Sequence, residues 1–297
     1  MVIVKLKGGM GNQMFQYAAG CRLAHHHRTE LKLDLSYLES GQDGCVRREY
    51  ALDHLCINAG VASEAEVNDL LSSRSGWLKP QGGGRDRGRT GGGDSSLQVF
   101  RERHFHFDPD VLRLPDNTYL DGYWQSERYF EDCKQIIRDE FKFKSPMVGE
   151  SVELAELIQS TNSVSIHVRR GDMANDPRVK AIHGVCEPSY YQQAVSKIEK
   201  SVQDPCFFLF SDDVEWVRNN LSIGREFTPI DNGVDKAYAD LRLMSLCQNH
   251  ILANSTFSWW GAWLCQNRSK KVIAPRKWLN VTKRDTSDVL PDSWLKL

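Results

Sequence analysis

Apolar and polar positions along the chain switch repeatedly between a strand period and a helix period. Val2 to Leu6 reads as a strand, Gly8-Gly9-Met10-Gly11-Asn12 as a turn, and Gln13 to His27 as a helix. Leu31-Lys32-Leu33-Asp34-Leu35 alternates with period two, predicting a half-buried strand. Periodicity fades after Leu71, and the glycine-rich run 82–93 reads as a flexible insertion. Order resumes near Val99, and a helix is predicted from Ser126 to Phe143 with Ser126 as its cap. Ser145-Pro146-Met147-Val148-Gly149 breaks the pattern and divides the chain into two units, 1–146 and 147–297.

The second unit alternates more regularly. Strands fit Val164 to Val168, Phe207 to Phe210, Ile251 to Ala253 and Val272 to Ala274. Helices fit Ser189 to Lys200, Val214 to Leu221, Ala237 to Cys247 and Phe257 to Cys265. Such alternation predicts a parallel sheet with helices on both faces, whose ligands sit beyond the carboxyl ends of the strands. Three polar clusters fall there: His167 to Asp172, Ser211-Asp212-Asp213, and Asn254-Ser255-Thr256.

Composition narrows the function classes. With 40% hydrophobic residues over 297 positions the chain can bury a sizeable core, and a net charge of −1 leaves no bulk basic field for nucleic acid. Any anion site must be local. No window approaches a membrane span, and the N-terminal apolar run is too short for a signal-peptide core, so a cytoplasmic protein is expected. The eight cysteines show no metal-type spacing and read as free buried thiols.

The strand-end clusters suit an anionic ligand. Arginine's planar fork grips a phosphate with two hydrogen bonds and stays charged at any working pH. In extended backbone His167 and Arg169 share one face and Arg170 takes the other. Arg169, with His167, is therefore expected to face the ligand, and Arg170 to orient the loop, paired with Asp172. Asn254-Ser255-Thr256-Phe257-Ser258 opens a helix whose hydroxyls and amides can both cap it and bind phosphates. Trp259, Trp260 and Trp263, at helical spacing, read as core. Ser211-Asp212-Asp213 either caps the helix at Val214 or offers a carboxylate to the paired donors of guanine. Gly9-Met10-Gly11 with Asp34 imitates a dinucleotide fingerprint, but Met14 stands where the third glycine belongs. Asn12 can instead offer its amide to a phosphate or sugar. Asp108-Pro109-Asp110 reads as a turn rather than a metal motif.

Several strings together resemble the α-1,2-fucosyltransferase family over most of the chain: Gly8 to Ala18, Asp121-Gly122-Tyr123-Trp124-Gln125-Ser126-Glu127, His167 to Asp172, Phe210 to Asp213, and Asn254 to Trp263. The resemblance implies two Rossmann-like domains facing a cleft, a GT-B-like α/β fold with parallel sheets flanked by helices. Residues 1–146 would form the acceptor side and 147–297 the GDP-fucose-binding side. It implies inverting, metal-independent transfer of L-fucose from GDP-β-L-fucose to the 2-hydroxyl of a terminal β-galactoside, with no cofactor beyond the donor. Arg169 would hold the diphosphate and Asp212 or Asp213 the guanine. Ser255, Thr256 and Ser258 would line the phosphate pocket beside Asn254 and Phe257, with Gly11, Asn12 and Gln13 approaching from the other domain. Asp172 is the first candidate for the general base and Asp176 the second, ahead of Glu127 and Asp34. A fucosyltransferase of another linkage, a carbohydrate-binding protein without turnover, and a Rossmann oxidoreductase are the competing readings.

Overall fold

The computed structural model describes residues 1–40, 48–72, 98–233, 236–281 and 283–297. The 82–93 insertion and Cys45 lie outside the described residues. Strands β1 (Val2–Lys5), β2 (Leu31–Asp34), β3 (Gly60–Val61), β4 (Gln98–Arg101) and β5 (Thr118–Asp121) form one parallel sheet in the order β3-β2-β1-β5-β4. Strands β6 (Asn162–Val168), β7 (Pro205–Ser211), β8 (Phe227–Ile230), β9 (Asn249–Ile251), β10 (Val272–Ala274) and β11 (Leu295–Lys296) form a second parallel sheet, ordered β11-β10-β9-β6-β7-β8.

This order decides where a ligand goes. In the second sheet the chain steps outward from β6 to β8, then returns to the other side of β6 with β9 to β11. The connections therefore diverge between β6 and β9 and open a crevice at the strands' carboxyl ends. In the first sheet the chain steps outward from β1 to β3 and then returns on the other side of β1, edge strand β4 first and β5 beside β1.

Local differences from the predicted elements have physical causes. The helix Met10–His27 starts inside the glycine turn, with Gly9 at its cap and no capping side chain. β2 is an interior strand between β1 and β3, so only Lys32 departs from burial and period two does not mark a solvent face. The predicted Ser126 helix is broken into short turns, Glu127–Tyr129 and Glu131–Cys133, before the helix Lys134–Glu140. Phe130, at φ −138° and ψ 23°, interrupts it because its ring is wholly buried, stacked 5.4 Å from Trp260. Of the seven described cysteines, all free, Cys56 and Cys206 are exposed rather than buried. Among the described residues no helix is long and apolar enough to cross a membrane.

The sheets share a core. Trp259 and Trp260, on the helix Thr256–Leu264 of the second half, pack 4.5 and 4.9 Å from Phe15 on the Met10–His27 helix. Both tryptophans are fully buried and Trp263 nearly so, as their spacing predicted. Their indole N–H groups donate to Val289 O at 2.7 Å and Gly11 O at 3.0 Å. Burying three tryptophans with those bonds satisfied makes the joint between the sheets the apolar centre of the molecule.

Candidate active site

The carboxyl ends of β1 and β5 in the first sheet, and the crevice between β6 and β9 in the second, open onto one cavity of about 820 Å³. From the first sheet it is lined by the loop after β1 (Gly8 to Asn12) and the loop after β5 (Tyr123, Gln125). From the second it is lined by His167 and Arg169 at the carboxyl end of β6, Ser211-Asp212-Asp213 at that of β7, and Asn254 to Phe257 after β9. The three polar clusters read from the sequence thus meet in one place.

Within the β6 cluster the two faces separate as the extended backbone requires. Arg169 lines the cavity; Arg170 does not, and its guanidinium lies 3.5 Å over the Trp216 ring. The Arg170 N–H donates to Asp212 Oδ1 at 2.8 Å, while Arg169 Nη1 donates to Asp212 Oδ2. One carboxylate therefore fixes both the loop and the guanidinium facing the cleft. Gly171 sits at φ +20° directly against that carboxylate, leaving no room for a Cβ. Arg170 is thus a loop anchor, placed outside the cavity on the strand end's other face. Its nearest described carboxylate is Asp213, 4.0 Å away, and the side chain of Asp172 lies outside the described residues.

His167 is 5% exposed, and burial followed by the charge of Arg169 pushes its pKa down to about 3. It meets the cavity as a neutral imidazole, a hydrogen-bonding wall rather than a second cation. Its Nδ1 has no partner among the described residues. Asp213 caps the helix Val214–Asn220, its Oδ1 accepting from Trp216 N at 3.1 Å, which is the capping reading of the β7 cluster, while Asp212 is taken up by Arg169 and the Arg170 N–H.

Elsewhere in the lining of the same cavity, two helix starts touch. Gly11 packs so closely on the start of the Thr256–Leu264 helix that a Cβ there would lie 2.5 Å from Phe257 N. Asn12 Oδ1 accepts from Thr256 Oγ1 and from Gln125 Nε2, each at 3.0 Å, joining three loops from both sheets. Ser255 caps its helix by accepting from Phe257 N at 3.3 Å. Asn254 lines the cavity but donates to His183 O and Trp278 O at 2.8 and 3.3 Å, which makes it a brace for the loop. Helix starts that line a cavity together with a fixed guanidinium can hold an anion.

Other expected site residues lie elsewhere. Gln13 is fully buried, its amide bonded to Gly8 O, Glu49 O and Ala51 N. Ser258, also fully buried, donates to Ser255 O. Asp34 accepts from Tyr119 Oη at 2.5 Å and Ser36 N at 2.9 Å, and Glu127 from Trp263 Nε1 at 3.2 Å; neither lines the cavity. Asp176 does line it, but it caps the helix Pro177–His183, and its bonds to Arg178 hold its carboxyl below the usual range. Asp108 caps a short turn and is paired with Arg103.

The cavity also contains residues to which the motifs gave no role: Tyr37, Arg48, Phe105, Tyr123, Asp240 and Arg284. Asp240 accepts from Asn232 Nδ2 at 2.6 Å, and burial, with Asp231 nearby, pushes its carboxyl up to about 6. A folded-state pKa above the ordinary 3.8 means the native protein binds this proton more tightly than the unfolded chain. The resulting penalty is absent below pH 3.8, grows through that window and is complete above pH 6. Asp240→Asn should therefore raise stability at pH 8 by on the order of 1–3 kcal/mol, and hardly at all near pH 4. Urea unfolding at the two pH values checks this, and an equal gain at both would refute it.

Residues 102–296 match the family described as Glycosyl transferase family 11. The chain is 31% identical, over its whole length and 99% of the other protein, to an alpha-1,2-colitosyltransferase of Escherichia coli. It is 27% identical to the galactoside 2-alpha-L-fucosyltransferase Sec1 of Mus musculus, over 89% of this chain and 64% of that one. A solved structure of a mutant Arabidopsis thaliana FUT1 in complex with GDP shares the fold at a TM-score of 0.50 and 13% identity, covering 98% of this chain and 72% of that one. Two parallel Rossmann-like sheets across one cleft form a GT-B-like arrangement. Its strand-end clusters and its full-length similarity agree: the chain belongs to glycosyl transferase family 11.

Proposed function

We propose that this glycosyltransferase moves L-fucose from GDP-β-L-fucose to the 2-hydroxyl of a terminal β-galactoside, with inversion and without a metal ion. The observation that carries the reading is Arg169, anchored by Asp212 at the crevice of the second sheet and lining one cavity with the helix starts at Gly11 and Thr256. As the bond from fucose C1 to the phosphate oxygen breaks, the electron pair leaves with GDP, and the developing charge falls between a fixed cation and helix N–H groups. Arg169 has five N–H donors, so it can keep Asp212 while gripping the diphosphate. Asp213 retains Oδ2 beyond its capping bond and can accept from guanine.

The galactose 2-hydroxyl oxygen attacks C1 from the opposite face, and its proton passes to a carboxylate. Asp172 is the proposed base, because the competing Asp176 is already committed to Arg178 and to its helix cap. A colitosyl donor is the second reading, favoured by the full-length similarity to a colitosyltransferase. Colitose lacks one hydroxyl of fucose. A site that hydrogen-bonds that hydroxyl would separate the two donors by about 10⁴-fold, whereas an apolar one would not.

Incubation with lactose and either GDP-sugar, with the product linkage read by NMR, tests the proposal. Fucosyl transfer to O2 at a rate unchanged by EDTA is expected. Absence of turnover with both donors across a panel of β-galactosides, using folded protein, would overturn it.

A further inference from the structure

Three aromatic side chains on the first sheet's side of the cavity, Tyr37, Phe105 and Tyr123, follow β2, β4 and β5, so they reach the cavity from three strand ends. Each is half-buried. Lys7 Nζ lies 4.8 Å from the centre of the Tyr123 ring and is held by Asp121 Oδ1 at 2.8 Å. With one face under this ammonium group, the ring has only the other to offer a ligand.

The turn that presents Tyr123 is rigidly specified. Trp124 adopts φ +54°, a conformation unfavourable for any residue with a Cβ, and its side chain is wholly buried against Phe100 and Tyr129. A Cβ on Gly122 would lie 2.6 Å from the Trp124 ring. Glu102 holds the turn from below, Oε2 accepting from Tyr123 N and Oε1 from Trp124 N, each at 2.9 Å. Burial pushes its carboxyl above the ordinary range even against those two bonds and the charge of Lys7. A strained backbone braced by a half-buried carboxylate is more than a loop needs for solubility, and the residue it aims into the cavity is an aromatic ring.

We infer that Tyr123, which lines the cavity together with Tyr37 and Phe105, is the platform on which the acceptor's terminal galactose stacks, and that Glu102 is a positioning residue for it. Galactose carries its 4-hydroxyl axially, which leaves one ring face of C–H groups from C3 to C5. That apolar face fits an aromatic ring, and the hydroxyl edge then turns toward the polar junction of Asn12, Gln125 and Thr256. The inference rests on the transferase reading and names the wall of the same site that holds the acceptor.

Steady-state kinetics with GDP-fucose and lactose, alongside calorimetry with GDP, test it on Tyr123→Leu, Tyr123→Phe and Glu102→Gln. Tyr123→Leu should raise the lactose KM about tenfold or more, with kcat and the GDP Kd changing less than about threefold. Tyr123→Phe, which keeps the ring, should recover most of the loss. Glu102→Gln has one acceptor oxygen for two N–H groups, and should raise the lactose KM without moving the GDP Kd. An unchanged lactose KM in Tyr123→Leu would overturn the inference. So would a GDP Kd that rises with it, since the platform would then belong to the nucleobase. Wild-type protein that neither binds GDP nor turns over would instead count against the transferase reading itself.

Discussion

Arg169→Ala is expected to lower kcat/KM by about 10³-fold, the scale on which removing a charge-stabilising donor acts on a transition state. The loss should fall mainly on kcat, because the guanidinium meets most charge as the diphosphate departs. Arg169→Lys keeps the charge but loses the fork, and should recover only a small part. Arg170→Lys makes the contrast. Its side chain lies over Trp216, outside the cavity, and the loop's bond to Asp212 comes from its backbone N–H, which lysine retains. A loss within about tenfold is expected there, from weaker stacking alone. Rates for the three variants at saturating donor decide the matter. Equal losses for Arg169→Ala and Arg170→Lys would mean that the two faces of the strand end have been assigned the wrong way round.

The parts of this site legible in the sequence were those written by local rules. Strand alternation places His167 and Arg169 on one face, and the structure separates Arg169 from Arg170 in that sense. Helical spacing marks Trp259, Trp260 and Trp263 as core. What was not legible depends on partners distant in the chain. Gln13 sits in a polar string beside Asn12, yet its amide closes onto Glu49 and Ala51, 36 and 38 residues away. Strand β8 contains Pro229, which removes a backbone donor and hides a strand from pattern reading; it survives because β8 is the edge of its sheet. Phe130 breaks a helix whose local pattern is good because packing on Trp260 outweighs propensity. One missed element had a usable signal: Asp176-Pro177 is a capping residue followed by proline at the first helical position, and a helix starts there.

The glycines after β1 show why a motif of identical residues needs a structure to be read. Gly8, at φ +78°, supplies a left-handed turn; Gly9, at φ −76°, has nothing within 4 Å of where a Cβ would stand. Gly11 is different, because a Cβ there would lie 2.5 Å from Phe257 N and from the carbonyl carbon of Thr256. Both are backbone atoms at a capped helix start, so neither can swing aside. Relief requires the Met10–His27 and Thr256–Leu264 helices to move apart by on the order of 1 Å, and these two helices join the sheets. Gly11→Ala should thus destabilise the protein by about 1–3 kcal/mol through overpacking. It should also lower kcat/KM by about 10²-fold, since the same shift strains the bond from Thr256 Oγ1 to Asn12 and misplaces the helix starts relative to Arg169. Gly9→Ala, at a helix N-cap that prefers glycine to alanine, should cost up to about 1 kcal/mol of stability and leave kcat/KM within about twofold. Urea unfolding and turnover of both variants give the comparison. A Gly11→Ala protein of wild-type stability and rate would show that the two helices part without penalty, and that the cleft's geometry does not depend on their contact.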